Sequence, residues 1–237
     1  MIDFHSHVLP GLDDGSRDEE ESLAMLRASA GQGIACVAAT PHFYPWEHSP
    51  EEFLAARAAA AERLAKRCPP GLPRVLLGAE VHYFEGMAHA AELEDLCLEG
   101  TRLLLVEMPF SPWTERMVKE VSALHAQYGF QVLLAHIERY LAFQEKTVWD
   151  GLLAEGILMQ SNASFFLDWR TRGRARRMLR EGRIHLLGSD CHNMETRPPV
   201  LGGALEKLRE GELAILRENS ARLLPGLASR PPDSAGA

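Results

Sequence analysis

His5-Ser6-His7, near the start of the chain, sets two imidazoles at positions i and i+2. On a β-strand that spacing turns both to one face. Asp190-Cys191-His192 repeats the pattern with a carboxylate and an imidazole. Between them His42, Glu80, Glu107 and His136 each stand at or just beyond the end of a short apolar run. Imidazole nitrogen together with carboxylate oxygen suits Zn, Mn and Fe, whereas Ca and Mg sites are mostly oxygen. These donors are enough for two or three ions, and ions about 3.5–4 Å apart can share a hydroxide and the oxygens of a phosphoester. Arg139 follows His136 closely, and Arg197 precedes Pro198-Pro199. Each offers phosphate a planar, bidentate fork. Metal-assisted phosphoester hydrolysis is the chemistry such a set could perform.

The remaining histidines divide by position. His82 lies two residues after Glu80 and is placed either to bind metal or to donate to a ligand. His48, His89 and His125 fall in loop or helix and read as solvated; His185 lies within a strand and reads as packing. Cys191 to Arg197 formally fits the Cys-x5-Arg spacing of thiolate-dependent phosphatases. That loop lacks glycine, runs into Pro198-Pro199, and holds residues better used as ligands, so the spacing reads as coincidence.

The elements that must position these groups follow from the apolar pattern. Apolar runs at 1–4, 34–39, 75–79, 103–108, 131–135, 157–160 and 184–187 predict strands. Helices are predicted between and after them near 18–32, 50–67, 87–99, 114–129, 142–155, 168–181 and 200–218. Glycines at 33, 100, 129, 156 and 182 stand where helix C-caps are expected. Continuously apolar strands alternating with helices imply a parallel sheet buried on both faces. Seven such units in one domain favour an α/β fold built as a distorted (β/α)7 TIM-like barrel over an open doubly wound sheet. No GxGxxG or GxxxxGK[ST] supports a nucleotide-binding sheet. In a parallel barrel the C-terminal strand ends build the active site, and that is where the candidate ligands fall.

The 237 residues suffice for one domain, with 46% hydrophobic and 24% charged residues, an ordinary globular balance. A net charge of −8 argues against a nucleic-acid partner, yet leaves room for a small anion, because bound cations would invert the local field. Four scattered cysteines with no signal peptide read as reduced thiols of a cytoplasmic protein, and no apolar run predicts membrane insertion. A domain over 1–228 and a disordered tail over 229–237 are expected.

The chain resembles the polymerase and histidinol phosphatase (PHP) superfamily. Within it the chain is most similar to the manganese-dependent bacterial tyrosine-protein phosphatases encoded with capsule and exopolysaccharide genes. The opening Met-Ile-Asp-Phe-His-Ser-His-Val-Leu-Pro-Gly-Leu-Asp-Asp-Gly-Ser carries most of the likeness. It is joined by Ala-Thr-Pro-His-Phe (39–43), Gly-Ala-Glu (78–80), Val-Glu-Met-Pro (106–109), Ala-His-Ile-Glu-Arg-Tyr (135–140) and Gly-Ser-Asp-Cys-His-Asn (188–193). Arg197-Pro198-Pro199 and Glu218-Asn219-Ser220 complete it.

The resemblance implies three divalent ions, manganese first, with Fe or Zn as substitutes. By position His5, His7, Glu80 and Asp190 would hold one ion. Glu80, Glu107 and His136 would hold the second, with Glu80 bridging, and Asp14, His42 and His192 the third. The residues themselves offer Asp13 and Asp14 equally; the family pattern selects Asp14. Arg139 and Arg197 would bind the phosphate. The implied reaction is in-line hydrolysis of phosphotyrosine by a metal-bridged hydroxide, without a phosphoenzyme, in control of capsule or exopolysaccharide synthesis. The expected partner is a phosphotyrosine protein such as a tyrosine kinase of polysaccharide export. A phosphoesterase for a small metabolite such as histidinol phosphate, and a non-catalytic regulatory PHP protein, are the alternatives. Aromatics near 43–47, 110–113 and 165–169 are placed to stack on a tyrosyl ring.

Overall fold

The computed structural model describes residues 1–90 and 93–225, so the expected tail and the end of the domain at 228 lie outside the described residues. The elements in chain order are β1 (Ile2–Ser6), α1 (Glu19–Gly31), β2 (Cys36–Ala39), β3 (His42–Phe43), α2 (Pro50–Arg67), β4 (Arg74–Leu77) and β5 (Glu80–His82). There follow α3 (Leu93–Leu96), β6 (Leu103–Glu107), α4 (Glu115–Ala126), β7 (Gln131–Leu134), α5 (Lys146–Ala154), β8 (Leu158–Asn162) and α6 (Ala163–Leu167). The chain continues through α7 (Arg172–Arg180), β9 (Leu186–Gly188), α8 (Leu201–Leu205) and α9 (Glu210–Leu223).

Among the described residues every strand pairing is parallel, in the orders β1-β2-β4 and β3-β5-β6-β7-β8-β9. β2 runs on into β3 past Thr40-Pro41, and β4 into β5 past Gly78-Ala79. Each pair therefore forms one bent stave. The sheet curls until its ends meet: Asp190 N donates to His5 O at 2.8 Å and His7 N to Cys191 O at 2.9 Å. The result is the distorted seven-stave α/β barrel that the pattern predicts.

Alternation along the strands sorts the apolar residues. Phe4, Ala38, Leu76, Leu105, Leu133 and Leu186 pack together inside the barrel, while Val37, Leu104, Val106, Val132 and Leu187 face the helices. Three steps along β1, from Asp3 to Ser6, oppose two along β2, from Val37 to Ala39. This bulge puts one extra residue on β1 and re-aims its side chains. Phe4 can thereby join the interior floor while His5 and His7 face the mouth above it.

The structure corrects the predicted elements at four places. The helix expected over 87–99 is a 3-10 turn at Met87–His89 and the short α3, because Ala90 leaves helical backbone at φ −82°, ψ 106°. The helix expected over 200–218 is split into α8 and α9. Arg209 is extended there, and its N–H donates to Glu212, which caps a new helix. β3 and β5 are too short to carry a periodic signal. α6 replaces part of an expected loop because Phe165 and Phe166 are buried.

Candidate metal centre

The barrel mouth gathers its donors from almost every stave. β1 supplies His5 and, just past its end, His7; β3 supplies His42, β5 Glu80, β6 Glu107, the turn after β7 His136, and the turn after β9 Asp190 and His192. His5, His7, Glu80, Glu107, His136, Asp190 and His192 are all buried. His136 and Asp190 take positive φ, 31° and 53°. That region is costly for non-glycine residues and is occupied where the surroundings force it, as at functional sites.

Distances bring the donors into three overlapping groups, since His7 also stands near Asp14, His42 and His192, and His42 Nδ1 also lies 3.0 Å from Glu80 Oε2. His5 Nε2 lies 3.2 Å from His7 Nε2, 3.1 Å from Glu80 Oε2 and 3.6 Å from Asp190 Oδ1. His7 Nε2 lies 3.4 Å from the same Glu80 oxygen and 3.6 Å from the same Asp190 oxygen. Donors bonded to one ion at about 2.0–2.2 Å stand roughly 3–3.5 Å from one another. The other Glu80 oxygen, Oε1, lies 2.8 Å from His136 Nε2, which is 3.4 Å from Glu107 Oε1. Glu80 thus faces two groups with its two oxygens. In the third group Asp14 Oδ1 is 3.5 Å from His42 Nε2 and 3.3 Å from His192 Nε2.

The pair left open by the residues alone separates cleanly. Asp13 Oδ2 accepts from His7 Nδ1 at 2.7 Å and from His42 N at 3.0 Å, while its Oδ1 accepts from Gly15 N at 2.9 Å. That carboxylate is used up in orienting its neighbours. Asp14 is 66% exposed and turns an oxygen to the two third-group imidazoles. Gly15 is needed where the loop crosses β1, since a Cβ there would meet His7 Cβ at 2.4 Å.

The donor set fits divalent cations on two further observations. Glu80 Oε2 and His42 Nδ1, 3.0 Å apart, and His192 Nε2 are buried without a well-formed hydrogen bond, and poorly satisfied buried polar atoms are costly. The cluster is also short of positive charge. Burial alone would push His7 down, yet Asp13, Asp190 and Glu80 hold it well above the usual imidazole value. His136 is likewise opposed by burial but raised to about 9 by Glu107 and Glu80. Burial would lift Glu80, but His5, His136 and His42 hold it well below the usual carboxylate range. Asp190 follows the same pattern through His5 and His7. Without bound ions, protons on His7 and His136 would supply part of that positive charge, while burial lowers His192.

Both arginines converge on Asp190. Arg139 Nη2 donates to its Oδ2 and Arg197 Nη2 forms an ion pair with its Oδ1, each at 2.6 Å, and both guanidiniums are more than one third exposed at the mouth. His82 Nδ1 contacts Glu107 Oε2 at 2.9 Å, the donor arrangement rather than the ligand one. His185 accepts from Met159 N and is partly buried, while His125 donates to Phe130 O. Cys191 is buried and its thiol is pushed up to about 12 by that burial. A thiolate nucleophile is therefore absent at neutral pH.

Two of the three expected aromatic loops flank the site. Tyr44 stacks on His42 at 5.1 Å, exposed Trp46 meets His82 edge-on at 5.1 Å, and exposed Phe110 stacks on His136 at 5.8 Å. The third loop does not contribute in that way: Phe165 and Phe166 are core residues of α6, and only Trp169 is exposed. Gln160 and Asn162 of β8 went unnoticed in the sequence, because amides carry no ligand signature. Gln160 Oε1 accepts from His136 N at 2.6 Å and lies 3.3 Å from His5 Nδ1.

Comparison with known proteins places the chain in a family. A family model described as capsular polysaccharide synthesis, CpsB/CapC, matches residues 1–224. The chain is similar to the tyrosine-protein phosphatase CpsB of Streptococcus agalactiae, with 30% identity over 216 residues, 86% of this chain and 88% of that one. It is similar to the tyrosine-protein phosphatase YwqE of Bacillus subtilis, with 32% identity over 235 residues, 94% of this chain and 91% of that one. Among solved structures it superposes at a TM-score of 0.81 and 26% identity on a chain from the work on YwqE of Bacillus subtilis and CpsB of Streptococcus pneumoniae. Those are described as unique metal-dependent tyrosine phosphatases, and the match covers 95% of this chain and 94% of that one.

Proposed function

Because the chain belongs to the CpsB/CapC family of capsular polysaccharide synthesis, we propose that it is a metal-dependent protein-tyrosine phosphatase. The observation that carries this reading is the cage formed by His5, His7, Glu80 and Asp190, whose donor atoms stand 3.1–3.6 Å apart. These four residues hold one ion. Glu80, Glu107 and His136 hold a second, and Asp14, His42 and His192 a third. The mixed nitrogen and oxygen donors suit Mn²⁺, with Fe or Zn as substitutes. Bound ions supply a nucleophilic hydroxide at neutral pH and neutralise phosphoryl charge.

The chain's own groups do the rest. Arg139 and Arg197 approach the two oxygens of Asp190. Their remaining N–H groups are free to hold phosphoryl oxygens beside the ions and to stabilise the charge that spreads over them in the transition state. Phe110 and Trp46 lie beside His136 and His82 at the mouth and can take the phenyl ring. Tyrosinate is a good leaving group, so no strong general acid is required.

The substrate is a phosphotyrosine protein of capsule or exopolysaccharide synthesis, such as its tyrosine kinase, met in the cytoplasm. No described helix is long and apolar enough to cross a membrane. The test is a panel of phosphotyrosyl and phosphoseryl peptides with histidinol phosphate. Preference for the phosphotyrosyl peptide is expected; faster turnover of histidinol phosphate would make the protein a small-molecule phosphoesterase instead.

A further inference from the structure

β8 is the stave that lends no ligand, yet its two inward residues at the mouth are polar and buried, Gln160 and Asn162. Their hydrogen bonds have a forced direction. The backbone N–H of His136 can only donate, so the Gln160 atom that receives it at 2.6 Å is the carbonyl oxygen. The same oxygen lies 3.3 Å from His5 Nδ1, which must then carry its proton. In its neutral form the ring then presents Nε2 as a lone pair toward His7, Glu80 and Asp190, as a metal ligand must.

The other end of Gln160 is likewise determined. Its Nε2 donates to Asn162 Oδ1 at 3.0 Å, so the Asn162 amide nitrogen faces away and donates to Asp190 Oδ2 at 2.7 Å. Asp190 Oδ1 is thereby turned to His5 and His7, 3.6 Å from each. Asn162 itself is held by its backbone N–H, which donates to Glu138 Oε1 at 3.1 Å. A chain of bonds starting from one peptide N–H thus sets the tautomer of His5 and, together with Arg139 and Arg197, holds the rotamer of Asp190. It also ties both to His136, which serves a different ion.

We propose that Gln160 and Asn162 are positioning residues that preorganise the metal centre and couple its first two ion sites. This rests on the ligand set proposed above. Groups that orient metal ligands in this way are commonly worth about 10–100-fold in metal affinity.

The test is calorimetric titration of Mn²⁺ into the chelator-treated full chain, with melting of the metal-free protein followed in parallel. Gln160→Leu removes both ends of the relay and should bind Mn²⁺ about 10–100-fold more weakly. Gln160→Glu keeps the acceptor for His136 N and His5 Nδ1 and should recover about tenfold of that loss. Asn162→Ser keeps a favoured N-cap for α6 but deletes the donor to Asp190. It should bind Mn²⁺ about tenfold more weakly with its metal-free melting unchanged, which keeps the test open should Gln160→Leu fail to fold. Wild-type Mn²⁺ affinity in Asn162→Ser, or affinity in Gln160→Glu no better than in Gln160→Leu, would overturn the positioning role. If the wild-type chain took up no Mn²⁺, the ligand set itself would fall, and this inference with it.

Discussion

His136 and Asp190 meet the metal centre from backbone conformations that side chains normally avoid, with φ of 31° and 53°. Each is held there by its own N–H, which donates to Gln160 Oε1 in one case and to His5 O in the other. At Asp190 the conformation and the chemistry can be pulled apart by substitution. Asparagine tolerates left-handed backbone, whereas a β-branched residue does not. In chelator, Asp190→Asn is expected to melt well above Asp190→Val, which should lose about 1–2 kcal/mol to backbone strain. Both should lack phosphatase activity, because neither offers the carboxylate oxygen that faces His5 and His7. Equal melting of the two in circular dichroism would show that the backbone there is not under constraint. The residue types at these positions were readable in the sequence, but their backbone strain was not, because it is imposed by contacts with other staves.

Among the elements, the approach of β9 to β1 matters most, since it closes the barrel and brings Asp190 to His5. Gly188 makes that approach possible: a Cβ there would meet His5 Cβ at 2.5 Å and Gln160 Nε2 at 2.9 Å. Gly188→Ala should therefore push His5 aside. The expected result is a loss of about 1–3 kcal/mol in denaturant unfolding from overpacking, together with weaker metal uptake. Unchanged values for both would contradict the close packing. Strand and helix periods were sufficient to find seven staves and to place the candidate ligands at their ends, since alternation and apolar runs reflect burial directly. The two-residue β3 and three-residue β5 left no such trace. The break before α9 was hidden because the Glu212 cap depends on one side chain reaching back to Arg209 N. The bulge in β1 is equally silent in the sequence, and without it the i and i+2 histidines would not share a barrel with inward Phe4.

At the scale of the whole molecule, the mouth gathers Asp13, Asp14, Glu80, Glu107 and Asp190, while several groups outside it also titrate away from their usual values. His185 is one of them, depressed to about 4 by burial and by Arg222. Neutral when folded, it takes up a proton on unfolding below its ordinary value near 6.5. Its contribution to stability is complete above that pH and is lost as the pH falls toward 4. Across that window the melting temperature of the wild-type chain should fall more steeply than that of His185→Asn; parallel curves would remove His185 from the acid response. The mouth itself is the part of the molecule whose meaning depends on what binds it. The three overlapping donor clusters, the poorly satisfied atoms of Glu80, His42 and His192, and the raised His7 and His136 all fit a site for cations. Elemental analysis of the purified chain, paired with phosphotyrosyl-peptide turnover before and after chelation, tests that most directly. Bound transition metal, activity abolished by chelation and activity restored by Mn²⁺ are expected. Turnover that survives complete removal of metal, or that disappears in Cys191→Ser whatever the metal content, would contradict it.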